Sequence, residues 1–269
     1  MRRPPVRRGR GLRTGSGASP EVLNLLLVRD QEWQDDDTIA VTGDRARHLF
    51  EVLECRPGDD IRVGKPNGFL GRGRILAADR SEVRVACRFD APPPPARRLE
   101  LLMAVPRPKV LGRVVEQAVS LGVSRLHLLR AWFVEKSYLK CDLLNHPERM
   151  EERVWRGLEV SGRTHVPEVL IHPLFRPFVE DDLDRHLGKG GGRFLAHPGS
   201  ETPLGRVPLP AEGVLALAIG PERGWTAFEV ELLTAHGFQA VSLGDGVLRV
   251  ETAAVAGLAL LAAADASRS

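Results

Sequence analysis

Two glycine-bearing segments hold the residue types and spacing best suited to chemistry: Ile219-Gly220-Pro221-Glu222-Arg223-Gly224-Trp225 and Leu243-Gly244-Asp245-Gly246-Val247-Leu248-Arg249. Each follows an apolar, strand-like run and precedes a helical pattern. In an open α/β sheet, ligands bind beyond the carboxyl ends of the strands, where glycine lets backbone amides come close to the ligand. Two such loops on successive strands can enclose one cofactor, although the same spacing also fits ordinary β–α turns. Neither loop matches G-x-G-x-x-G or G-x-x-x-x-G-K-[ST], which removes the usual support for dinucleotide or nucleoside-triphosphate binding. The glycine run 188–192 precedes a strand rather than a helix and reads as a flexible connector, not a phosphate cradle. Cys55, Cys87 and Cys141 have no C-x-x-C spacing and no histidine placed closely enough in sequence to suggest a zinc knuckle. They predict reduced structural thiols and no metal site.

The elements that must position these loops follow from the apolar patterning. Strand-like Leu99 to Val105, Arg125 to Leu129, Val169 to Ile171, Arg193 to Ala196, Val214 to Ile219 and Ala240 to Leu243 alternate with helical patterns. The helices are Val110 to Leu121, Glu148 to Ser161, Val179 to Leu187, Ala227 to His236 and Glu251 to Ala264. Such alternation predicts an α/β domain with a mainly parallel sheet covered on both faces. Thr226, with Glu229 three residues on, forms a capping-box pattern that starts the helix after the first loop. Ahead of this lie short apolar runs at 25–28, 39–41, 61–63, 74–76 and 83–86, with one helix from Asp44 to Glu54 whose face is Leu49, Val52 and Leu53. They predict a small, mostly β domain over 21–91. Pro92 to Pro95 lack backbone donors and predict an extended linker over 92–96, leaving 97–269 for the α/β domain.

The whole chain carries a net charge of +3, but residues 1–20 hold six arginines and no acid. Without them 32 basic residues face 35 acidic ones, so the folded body is slightly acidic and overall charge carries no argument for nucleic-acid binding. The tail itself predicts disorder. No run of eighteen apolar residues and no secretory pattern is present, which predicts no membrane span and a cytoplasmic protein.

In order and spacing, Gly220-Pro221-Glu222-Arg223-Gly224, then Leu243-Gly244, Val247-Leu248-Arg249 and Glu251-Thr252-Ala253 resemble the signature of the ribosomal small subunit methyltransferase E family. That family belongs to the SPOUT superfamily. The likeness extends to Leu121-Gly122-Val123, to Gly162-Arg163-Thr164-His165-Val166-Pro167, and in the small domain to His48-Leu49, Val52-Leu53 and Gly58-Asp59. The sequence departs from the family pattern at Arg223, Ser120, Gln117, Val160 and Glu54.

The resemblance implies a C-terminal SPOUT-type domain with a trefoil knot, a PUA-like N-terminal domain and a homodimer. It implies S-adenosylmethionine as cofactor and a uridine N3 of 16S ribosomal RNA in the small subunit as acceptor; the transfer itself needs no metal. Cofactor contacts then fall on Leu195, Ala196, His197, Pro198, Ile219, Gly220, Pro221, Glu222, Gly224, Leu243, Gly244, Val247 and Leu248. A positive group near the uracil oxygens stabilises the N3 anion, for which Arg249 and Arg163 are the candidates; His197 and His165 are weaker candidates as proton acceptors. Arg45, Arg47, Arg56, Arg62, Arg72 and Arg74 are candidate RNA contacts, or simply a solvated charged surface. Two other functions fit the same residues: a non-catalytic RNA-binding or ribosome-assembly protein on this fold, and a methyltransferase with a different RNA target.

Overall fold

The computed structural model describes residues 25–267, so the expectation of a disordered tail over 1–20 lies outside the described residues. The first sheet contains β1 (Leu25–Leu27), β2 (Thr38–Thr42), β3 (Asp60–Gly64), β4 (Leu70–Ala78) and β5 (Glu82–Ala91), in the order β1-β3-β4-β5-β2. Its pairs are antiparallel except β1 with β3. Ile61, Val63, Ile75, Val83, Val85 and Cys87 point inward on alternating positions and form a small core with Val41, Leu49 and Cys55. Burial raises the Cys87 thiol to about 12, which keeps it a neutral core residue.

The helix predicted for Asp44 to Glu54 is shorter and less regular. It runs as α1 (Gly43–Arg47), widens into a π turn over His48–Val52, and stops at Glu54 with φ +52°. The widened turn rotates Val52 out to 64% exposure, so the buried face is Ala46 and Leu49 with Leu53 beside them, not the expected Leu49–Val52–Leu53 stripe.

The second sheet contains β6 (Leu99–Ala104), β7 (Val123–Leu129), β8 (Glu168–His172), β9 (Gly192–Ala196), β10 (Leu215–Ile219) and β11 (Gln239–Val241). All its pairs are parallel, in the order β11-β9-β10-β6-β7-β8. The connecting helices are α2 (Pro108–Ser120), the short α3 (Asp142–Asn145), α4 (Pro147–Ser161), α5 (Phe175–Pro177) continued through a π turn into α6 (Leu183–Leu187), α7 (Ala227–Ala235) and α8 (Val250–Ala266). The stretch from Phe175 to Leu187 begins four residues before its predicted start. Pro177 is tolerated because it lies in the first turn, where no backbone donor is needed.

Strand alternation assigns the covering layers. Gly257 of α8 packs on Leu217, whose register partner is Leu101. Leu102, on the other face, pairs in register with His127, which packs against Phe178. So α8 covers one face and the Phe175–Leu187 helix the other. The second face also buries a polar chain: His127 Nε2 lies 3.0 Å from Glu100 Oε2, and His127 Nδ1 lies 3.0 Å from His172 Nε2.

β1 belongs to both cores. Leu26 and Val28 face the small core, whereas Leu25 and Leu27 enter the large one. Glu159 of α4 accepts from the Leu27 amide and from Arg45, while Asn67 and Gly68 exchange hydrogen bonds with Thr164 and Val166. The glycine run is tighter than a flexible connector: a Cβ on Gly191 would stand 2.2 Å from the Val214 carbonyl oxygen.

Candidate active site

The carboxyl ends of β9 and β10 and the segment after β11 surround one cavity of about 570 Å³, within the ordinary range of ligand sites. Local sequence explains its walls. β9 ends at Ala196, and His197-Pro198 turns away, with the His197 amide bonded to the Val241 carbonyl. β10 ends at Ile219, after which Gly220 to Trp225 lead into α7 through the predicted capping box: Thr226 Oγ1 accepts from the Glu229 amide at 3.2 Å and Glu229 Oε2 accepts from the Thr226 amide at 2.8 Å. The third wall, Leu243 to Leu248, ends at Arg249, the N-cap of α8.

Of the sequence-assigned cofactor residues, Ala196, His197, Pro198, Ile219, Gly220, Pro221, Glu222, Gly224, Leu243, Gly244, Val247 and Leu248 line this cavity. Leu195 does not. It is fully buried between Ala218 and Ala240 of the flanking strands, because alternation along β9 turns it into the core.

The two candidate catalytic arginines are separated. Arg249 lines the cavity, exposed. Arg163 packs on Gly122 at the amino edge of the sheet, next to Arg97, whereas the cavity lies at the carboxyl edge. Within one chain it therefore does not reach the site where Arg249 stands. Partial burial, and secondarily Arg97, lowers the pKa of Arg163. His165 stays with Arg163 near the contact between the two sheets and is also remote.

Sequence reasoning missed Arg107, Trp225 and Ser242, which also line the cavity. Arg107 precedes α2 and donates its backbone amide to Glu222 Oε1 at 3.1 Å, so Glu222 ties the first loop to the start of α2. A basic residue just before a helix-starting proline was the only available signal. Trp225 forms the floor under Gly220: a Cβ there would meet the indole at 3.0 Å. The indole Nε1 is buried with no hydrogen-bond partner among the described residues. Amides, aliphatic walls and this orphaned donor fit an adenosine-bearing ligand. Among the described residues no group of three or more His, Cys, Asp or Glu is arranged to hold a metal.

The candidate RNA arginines divide by environment. Arg45 is a clamp between the two sheets, held by Glu32, Glu159 and the Leu27 carbonyl with its side chain mostly buried, which corrects its assignment to an RNA-facing surface. Arg56 folds over Phe50 and donates to the Phe50 and Cys55 carbonyls; Arg47 pairs with Asp44 and Arg74 with Asp60. Arg62 and Arg72 are cross-strand partners on the solvent face, and Arg88, unassigned from sequence, extends the row across β5.

A cavity of this kind at the carboxyl edge of a parallel sheet, joined to a small β domain with an arginine row, defines a class. The RNA methyltransferase domain profile matches residues 92–262 and the RNA methyltransferase PUA domain profile matches 41–86, so the protein is of the RNA methyltransferase class. Among similar proteins, the ribosomal RNA small subunit methyltransferase E of Treponema pallidum is 34% identical over 90% of this chain and 91% of its own length. That of Synechocystis is 29% identical over 90% of this chain and 78% of its own. The chain belongs to the ribosomal RNA small subunit methyltransferase E family. A crystal structure of the Neisseria gonorrhoeae protein of that name, bound to S-adenosyl methionine, shares the fold with a TM-score of 0.71 at 22% identity, covering 88% of this chain and 96% of that one.

Proposed function

We propose that this protein methylates the N3 of a uridine in 16S ribosomal RNA, with S-adenosylmethionine as donor. The observation that carries the reading is the cavity walled by both signature loops, with Arg249 at its rim and Trp225 in its wall, its Nε1 without a hydrogen-bond partner among the described residues. When bound, the donor supplies an electrophilic methyl on a sulfonium.

The chain's own residues do the rest. The amides beside Gly220 and Gly244 and the side chains of Ile219, Leu243, Val247 and Leu248 hold and desolvate the donor. Arg249 and Arg107 place positive charge at the cavity mouth, where it stabilises the uracil anion formed as N3 loses its proton. Alignment and exclusion of water then account for most of the rate. Arg163 contributes within this reading only as an RNA contact, or at the site of a partner subunit.

The reading includes the SPOUT-type trefoil knot, supported by the way 197–206 straps the chain that leads from β11 to α8: Ser242 exchanges hydrogen bonds with Thr202 and Leu204, and Ser200 Oγ donates to Ala240. It also includes a PUA-like domain ending at the proline linker 92–96, and a homodimer in the cytoplasm. Among the described residues no helix is long and apolar enough to cross a membrane. The decisive test is nucleoside mass spectrometry of 16S RNA from a deletion strain. We expect 3-methyluridine to disappear, to return with the wild-type gene, and to stay low with Arg249→Ala, which lowers kcat about 100-fold while leaving cofactor affinity nearly unchanged. Unaltered 3-methyluridine in the deletion strain refutes the assignment of the target.

A further inference from the structure

Beside the methyl-donor cavity lies a second, more apolar one of about 770 Å³, which none of the roles above uses. Its rim exposes three large hydrophobic side chains: Trp132 at 78%, Leu174 at 58% and Phe228 at 50%. So much exposed aromatic surface is costly unless something covers it. The backbone beneath Trp132 is braced. Its amide donates to Glu229 Oε1 at 2.7 Å, and Arg223 stacks on the adjacent Phe133 at 4.1 Å. The indole is thus presented on a fixed base rather than on a loose loop, so little order is lost when a partner stacks on it.

Two observations name the partner. Arg130 and Lys136 line the same cavity and form no ion pair among the described residues, while Glu229 spends its carboxylate on the Thr226 and Trp132 amides; Glu135 is the one other acid close in sequence, turned to Ser137 and Tyr138. Flat apolar surface flanked by these two cations, with Arg176 beside them already paired to Glu180, fits nucleobases and their phosphates. The turn Trp225-Thr226 is also a shared wall: Trp225 lines the donor cavity and packs on Phe175, and Thr226, Phe228 and Phe175 line the second cavity. A second copy of the chain is the poorer occupant, because the apolar outer side of α8 lies on the opposite face of the sheet.

We propose that this cavity takes an unstacked base of the substrate RNA next to the methylated nucleotide, with Trp132 as its stacking platform and Arg130 and Lys136 on the adjoining phosphates. The inference rests on the methyltransferase reading and adds to it a site for the flanking nucleotide. A base inside a helix cannot reach the donor cavity, so the target must be splayed out. A platform for its neighbour holds the strand in that open form.

The test uses fluorescein-labelled octauridylate, since stacking is tolerant of sequence. Trp132→Ala is expected to bind it about 10-fold or more weakly, and Trp132→Phe to recover most of the affinity. Affinity for S-adenosylmethionine and the melting temperature are expected to be unchanged, because Trp132 touches neither the donor cavity nor the core. Equal affinity of wild type and Trp132→Ala, or no octauridylate binding by the wild type, overturns the stacking site and leaves the methyltransferase reading standing. So does a Trp132→Ala protein that keeps RNA affinity and loses a ribosomal protein instead. Failure of the wild type to bind S-adenosylmethionine overturns the methyltransferase reading itself.

Discussion

At the scale of single residues, Gly220 is the sharpest point of the site, for a reason that the sequence did not disclose. Its backbone is ordinary; the space its Cβ would need is taken by the Trp225 indole. Gly220→Leu must push that ring into the donor cavity. We expect S-adenosylmethionine affinity to fall by at least about 100-fold while circular dichroism stays native, as measured by calorimetry; unchanged affinity would falsify the placement of the donor. Gly224 has φ +78° with open space around it, so Gly224→Ala costs only backbone strain, about 1 kcal/mol. The side chain of Arg223 next to Gly224 already marks that end of the loop as the more tolerant, and the two glycines differ because only Gly220 faces a neighbour.

At the scale of elements, the packing of helices and the polar chain within the sheet each make a prediction. Gly157 is the contact between α4 and α2: a Cβ there would lie 2.7 Å from the Glu116 carbonyl oxygen, and Ser120 Oγ, bonded to the Glu116 and Gly157 carbonyls, sits at the same crossing. Backbone cannot yield as a side-chain tip can, so Gly157→Ala should lower stability by about 1–3 kcal/mol in urea unfolding. The second concerns pH. Burial, with His127 and His186 adding like charge, lowers His172 from 6.5 to about 4. The folded state therefore favours the neutral ring. Its contribution to stability is complete above pH 6.5 and is lost as the pH falls through that value towards 4; His186, lowered by burial and then by His127, Arg125 and Arg185, acts in the same sense. The melting temperature should drop between pH 7.5 and pH 5, and His172→Asn should flatten that drop. An identical pH slope in the variant would assign the effect to other groups.

At the scale of the whole molecule, the proposed dimer rests on α8. This helix buries Val250, Ala254, Gly257, Leu258, Leu261 and Ala262 against the sheet, yet its outer side carries exposed Ala259, Ala263 and Leu260, the last at 41%, with Val247 at 82% just ahead of it. An apolar helix side left outside suits a self-complementary contact with a second copy. Leu260→Glu should convert a dimer into a monomer in light scattering at micromolar concentration. A wild type that is monomeric under those conditions removes the dimer from the reading.

Much of this was legible without coordinates. Periodicity of apolar residues gave every strand of the parallel sheet to within a few residues, because strands buried on both faces and amphipathic helices write their surroundings into the chain. The capping box of Thr226 and Glu229 and both glycine loops are local features, set by residues close in sequence. What required the tertiary structure was every relation between distant segments. Arg45 and Arg62 look equivalent as exposed cations in a small β domain, but folding brings Glu32 and Glu159 to the first and leaves the second in a row with Arg72. Arg163 and Arg249 carry similar signals in the chain, yet the sheet places them at opposite ends of its strands. Leu195 and Ala196 are adjacent, and strand alternation sends one to the core and the other to the cavity. The sequence determines which elements form, since their energetics are short-range; which side chains meet depends on how the chain crosses itself, and that is decided only when the two faces of each sheet are covered.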